Sequence, residues 1–127
     1  MGRQMKTALW LIISVVFSSL FVQAGEADVT AVTITKNSTE NRVYSFDVTV
    51  SHGDEGWKHY ANSWDIVGPD GVILATRVLY HPHVNEQPFT RSLSGVKIPE
   101  GIGTVTIRAH DLVHGYGGKV VSSQLPE

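Results

Sequence analysis

Residues 59–80, HYANSWDIVGPDGVILATRVLY, decide the fold. Two runs rich in β-branched and aromatic residues, 59–67 and 72–80, flank Gly68-Pro69-Asp70-Gly71, where proline presets φ for a turn and glycine accepts positive φ. This pattern predicts a β-hairpin. Upstream, 42–51 (RVYSFDVTVS) places Tyr44, Phe46, Val48 and Val50 on every second position, the alternation of a strand with one buried face. Residues 28–36, 88–96, 103–110 and 118–125 complete the set, with the Pro99-Glu100-Gly101 turn between the fifth and sixth strands. No long stretch after residue 25 has helical periodicity.

The chain therefore reads as all-β, a seven-stranded immunoglobulin/fibronectin-III-like β-sandwich with Trp64 in the core of its third strand. Residues 25–127 form a single domain, since about a hundred residues support one modest core. In such a sandwich, loops alternate between the two ends, so those after strands two, four and six share one pole.

Residues 1–24 read as a signal peptide. Arg3 and Lys6 precede an uncharged apolar run from Thr7 to Val22, and Val22-Gln23-Ala24 carries small residues where a signal peptidase reads. The mature protein is expected to start near Gly25, to be periplasmic or secreted, and to have no stable membrane insertion. It would keep 8 basic against 12 acidic side chains, a net charge of −4 that disfavours nucleic acid as a partner. The chain has no cysteine, which excludes disulfides, thiolate-based metal sites and blue-copper chemistry. Both methionines, Met1 and Met5, lie in the leader, so a metal site in the domain would use nitrogen and oxygen.

All six histidines fall at or beside the three loops of one pole: His52 and His59, His81 and His83, His110 and His114. The opposite pole carries tight turns without histidine. Neutral imidazole donates a lone pair to Fe, Cu or Zn at physiological pH, and three or four suffice for a site. His81 and His83 stand two apart in YHPHVNEQPF, a spacing suited to chelation if the strand continues. His110 and His114 bracket Asp111, a candidate oxygen ligand, in a glycine-rich loop. Asp54, Glu55 or Glu86 can bind the metal or orient an imidazole from behind. The candidate ligands are thus His52, His59, His81, His83, His110, Asp111 and His114, for a divalent transition metal whose identity the sequence leaves open.

The segment His52-Gly-Asp-Glu-Gly-Trp-Lys-His59-Tyr60, with Trp64 four positions further on, resembles the stretch of superoxide reductases (desulfoferrodoxin type) that supplies two iron-binding histidines. His114-Gly115 is similar to that family's Cys-x-x-His-Gly segment, with Asp111 in the place of the cysteine. The resemblance covers about half of the mature chain. It implies an immunoglobulin-like iron domain with His52, His59 and His114 as ligands, and a fourth nitrogen from His81, His83 or His110. The family's early-loop histidine has no counterpart here, and the first two histidines stand one residue further apart.

Three functions follow as expectations. The first is an exported histidine-rich metal-binding protein, with a site formed by three loops at one pole of the sandwich. The second is a superoxide reductase-like redox enzyme with Fe or Cu. The third is a metal-free interaction module presenting Trp57, Tyr80, Phe89 and Tyr116 to a ligand or protein partner. Ser51-His52 and Ser63-Trp64 lack the strand-turn-helix setting of a nucleophile elbow, which argues against a hydrolase.

Overall fold

The computed structural model describes residues 25–37 and 39–127, so the expected signal peptide lies outside the described residues. Seven strands follow in order: β1 (Asp28–Lys36), β2 (Val43–Ser51), β3 (Ala61–Val67), β4 (Ile73–Val78), β5 (Phe89–Lys97), β6 (Thr104–Asp111) and β7 (Val121–Gln124). They form two antiparallel sheets, β1-β2-β5 and β4-β3-β6-β7, packed face to face as a β-sandwich. No helix among the described residues is long and apolar enough to cross a membrane.

Alternation sets the packing. Tyr44, Phe46, Val48 and Val50 of β2 point inward and are buried, while Asp47 between them faces solvent. Across the sandwich they meet Trp64 and Ile66 of β3 and Val105, Ile107 and Ala109 of β6, and within their own sheet Phe89 and Val96 of β5 join the same core. Core side chains of this size typically cost about 3–5 kcal/mol when truncated to alanine, so the absence of disulfides leaves a sufficient source of stability. The expected hairpin forms at 68–71: Gly68 N donates to Val72 O (2.9 Å), Gly71 adopts φ 87°, and Asp70 Oδ1 accepts the Val72 amide at 3.1 Å.

Several strand ends differ by a residue or more from the sequence expectation, and those of β3, β6 and β7 shape the histidine pole. β3 begins at Ala61, which leaves His59 and Tyr60 in the loop, where Glu55 N bonds to His59 O and His59 N to Gly56 O. β6 runs on to Asp111, because Asp111 and Gly115 exchange both backbone hydrogen bonds at 3.0 Å and close a tight turn. β7 is shorter than 118–125, because Lys119 O accepts the Val29 amide of β1 at 2.8 Å and draws that stretch toward the other sheet.

Candidate metal centre

Asp111 is the pivot of the pole. Its carboxylate is wholly buried, and its two oxygens do different work. Oδ1 accepts the amides of Val113 (2.8 Å) and His114 (2.5 Å), an Asx-type turn that fixes the start of the β6–β7 loop. Gly115 completes this turn at φ 70°, a conformation glycine adopts without strain. Oδ2 is left to face three imidazoles: His52 Nε2 at 2.9 Å, His59 Nε2 at 3.3 Å and His114 Nδ1 at 3.2 Å.

The imidazoles are held from behind. His52 Nδ1 donates to Asp54 Oδ1 at 2.6 Å and His59 Nδ1 to Glu55 Oε1 at 2.6 Å, so each ring turns its Nε2 inward. Asp54 is itself fixed by the Ala61 amide (3.0 Å) and the His83 amide (2.6 Å). Gln87 bridges two loops, its Oε1 accepting the His52 amide and its Nε2 donating to His83 O, both at 2.9 Å. A carboxylate behind the ring, as at His52 and His59, is the usual support of a metal-ligating histidine, because it fixes the tautomer and raises ligand basicity.

The spacing suits an ion. Two donors each about 2.0–2.1 Å from a metal lie roughly 3.0 Å apart in cis octahedral geometry and roughly 3.4 Å apart in tetrahedral geometry. The separations of 2.9, 3.2 and 3.3 Å around Asp111 Oδ2 fall close to that range. Donor atoms of His52, His59 and Asp111 all lie within 4.8 Å of one another. The His52 side chain is fully buried and that of His114 is 38% exposed, so the cluster opens to solvent on the His114 side.

Electrostatics follow from these contacts. Burial would raise the Asp111 carboxyl, but the amide and ring of His114, the ring of His52 and the Val113 amide together hold it down at about 2. The Glu55 hydrogen bond raises the His59 pKa, against an opposing effect of burial and with further help from Asp111. A carboxylate that stays ionised and imidazoles that stay oriented suit capture of a cation, which takes the place of the ring protons aimed at Oδ2.

Three of the expected ligands lie elsewhere. His110 neighbours Asp111 on β6, and strand alternation sends the two side chains to opposite faces. His110 Nδ1 instead meets Asn62 Oδ1 at 2.7 Å, with the ring edge against Tyr116. His83 lies flat on Phe89 with centroids 4.0 Å apart, and both its ring nitrogens lack a hydrogen-bond partner; burial lowers its pKa. His81 is exposed, and its ring lies 4.7 Å from that of His83. The loop thus contributes the His83 backbone amide, not an imidazole, to the centre. Glu86 pairs with Arg91 at 3.1 Å on the surface. Gln87 carried no signal in the sequence, because a side-chain amide preceding a proline has no distinguishing pattern.

A further buried carboxylate, that of Asp65, braces the β6–β7 loop. Asp65 accepts from Tyr116 Oη (2.6 Å), Arg108 Nε (3.2 Å) and Thr76 Oγ1 (2.7 Å), and the Arg108 guanidinium stacks 3.8 Å above the Tyr116 ring. Surface clefts of about 530 Å³ beside Lys36 and Glu40 and about 550 Å³ beside Trp57 and His81 do not hold the cluster. An ion needs converging donors more than it needs a cavity.

Fold and site together define an all-β, two-sheet protein with a buried histidine–aspartate cluster able to hold a metal ion. No protein-family profile matches the chain, and no solved structure matches it. A protein of Halomicrobium mukohataei named "Putative lipoprotein" is 41% identical to it over 96 residues, which make up 76% of this chain and 46% of that protein. The chain thus spans about half the length of this relative.

Proposed function

We propose that this chain is an exported binder of a divalent transition-metal ion, held by His52, His59, His114 and Asp111 at one pole of an immunoglobulin/fibronectin-III-like sandwich. The observation that carries the reading is the arrangement around Asp111 Oδ2: three imidazoles converge on one buried carboxylate oxygen, and two of them are backed by Asp54 and Glu55. The 3+4 division of strands supports the fold type. Export is supported by the charged and apolar leader sequence and by the name of the relative.

The bound ion would link the loop after β2 to the end of β6 and the turn that follows it, and at its open side it would act as a Lewis acid. The residues do the positioning: Asp111 supplies the negative charge, His52 and His59 the fixed nitrogens, and His114 the exposed edge. Elemental analysis of the exported protein, purified without chelator or tag, tests the reading. Near one metal per chain, lost in a His52→Ala/Asp111→Asn variant, is the expected result; no metal in either protein dismisses it.

A second reading, redox turnover of superoxide at the same ion, is favoured by one observation. The four residues that meet at this pole are the ones to which the superoxide reductase resemblance points, with Asp111 in the cysteine position. Superoxide consumption by iron- or copper-loaded protein, compared with an equal amount of free metal in buffer, tests it; equal rates dismiss it.

A further inference from the structure

Gly25 lies beside the candidate metal centre. The Gly25 carbonyl oxygen lies 3.1 Å from His52 Nε2, the same nitrogen that faces Asp111 Oδ2 at 2.9 Å. One imidazole nitrogen therefore has two oxygen acceptors on its inward side, one from the β6 terminus and one from the residue that follows the expected signal-peptidase site.

The contact is built into the fold. Ala27 and Val29 are buried in the core. The Val29 amide donates to Lys119 O at 2.8 Å, and Asp28 Oδ1 accepts the Lys119 amide at 2.7 Å. At Gly118 a Cβ would lie 2.0 Å from the Ala27 carbonyl oxygen, so only glycine lets the two backbones approach this closely. The stretch from Gly25 to Val29 is thus fastened to the β6–β7 loop, whose other end carries His114.

We propose that removal of the leader at Ala24–Gly25 completes the metal centre, with the freed α-amine of Gly25 and its carbonyl oxygen joining His52, His59, His114 and Asp111 as ligands. This rests on the metal-binding reading above. The step is a hydrolysis by an export endopeptidase, in which water supplies OH to the Ala24 carboxyl and H to the Gly25 amine. An α-amine and the carbonyl of its own residue close a five-membered chelate ring on one ion, and the carbonyl already stands at ligand-to-ligand distance from His52 Nε2. An amide nitrogen at the same place is a far poorer donor than a free amine. The uncleaved chain would therefore hold a metal weakly, and tight binding would begin only after export.

Two measurements test this. Mass spectrometry of the protein recovered from the exported fraction should give Gly25 as the first residue; any other first residue overturns the proposal. Residues 25–127 carry all seven strands and the whole core. They are prepared with Gly25 as the free terminus and, separately, with one serine ahead of Gly25, and Cu(II) affinity is measured by competition with a chelator. The free-terminus form should bind at least tenfold more tightly. In the Cu(II) form grown on ¹⁵N-glycine, electron–nuclear double resonance should show a directly coordinated ¹⁵N that the serine-extended form lacks. Equal affinities, or no ¹⁵N coupling, overturn amine ligation while leaving the histidine–aspartate site standing. Failure of both forms to bind Cu(II) overturns this proposal and the metal reading together.

Discussion

Asp111 Oδ2 and His52 Nε2 lie 2.9 Å apart with both side chains fully buried, although Asp111 ends a strand of one sheet, His52 follows a strand of the other, and they stand 59 positions apart in sequence. The pair ties the end of β6 to the loop after β2, and the other polar contacts of the pole are arranged around it. Burying an ionised carboxylate is costly unless it is paired and hydrogen-bonded, and Asp111 is surrounded by two backbone amides and three imidazole nitrogens.

Asp111→Asn should therefore lower both metal affinity and metal-free stability. Holding the carboxyl at about 2, against 3.8 for a free aspartate, corresponds to about 2 kcal/mol at neutral pH. Urea denaturation of the two chelator-treated proteins measures that loss, and isothermal titration with Zn(II) measures the affinity. A variant as stable as the parent would show that the imidazoles do not stabilise the carboxylate.

The two carboxylates behind the imidazoles should differ in effect. Asp54 is buried and holds His52 Nδ1, the Ala61 amide and the His83 amide, whereas the Glu55 side chain is 61% exposed and holds only His59 Nδ1. Asp54→Asn should weaken Zn(II) binding by about 10–100-fold, the usual effect of losing such support, and Glu55→Gln by less. The reverse order, measured by chelator competition, would contradict the positioning role given to Asp54.

Stability with and without metal should respond oppositely to pH. The raised pKa of His59 favours the protonated ring in the folded state, so its contribution is full below about 6.5 and is lost as pH rises through the higher folded value. Asp111 works the other way: its contribution is present above about 3.8 and is lost as pH falls toward about 2. Metal-free protein should thus gain most from these two groups between about pH 4 and 6.5. Metal requires unprotonated imidazole, so the rise in melting temperature with Zn(II) should grow from about pH 5.5 to about pH 8. Calorimetric melts across that range check this; a rise that shrinks with pH would count against imidazole ligation.

The seven strands were legible because alternation such as that of Tyr44, Phe46, Val48 and Val50 depends only on neighbouring residues, and the Gly68–Gly71 turn is specified by its own side chains. That the loops carrying His52, His59, Asp111 and His114 share one pole was legible from the order of strands. The face taken by His110 was implicit in strand parity, once β6 is known to run through Asp111. The roles of His83, Gln87 and Gly25 were not legible, because each acts through a backbone group or a side-chain amide whose partner is set by tertiary packing.

That distinction between histidines has a direct test. His81→Gln and His110→Gln alter an exposed ring and a ring bound to Asn62, so Zn(II) affinity should stay within about twofold of the parent. His114→Ala removes the ring that faces Asp111 Oδ2 and should weaken binding at least tenfold. A large loss in either glutamine variant, read by the same competition assay, would mean that the ligand set extends beyond the cluster around Asp111.

Tyr116 ties the turn that follows Asp111 to the buried carboxylate of Asp65. Its hydroxyl donates to Asp65, which raises the phenol's pKa and keeps it a donor at physiological pH, and its ring lies under Arg108, two residues along from His114. Tyr116→Phe keeps the ring and its stacking but removes one of three donors to a buried carboxylate, at a cost of about 1–3 kcal/mol. Because the ring remains, the β6–β7 turn should keep its place through Asp111 Oδ1, and Zn(II) affinity should fall far less than stability. Tyr116→Ala removes both, freeing the loop beyond Gly115, and should lower affinity as well. Chemical denaturation paired with Zn(II) competition on the two variants separates these effects; equal affinity losses would mean that the hydroxyl alone holds His114 in place.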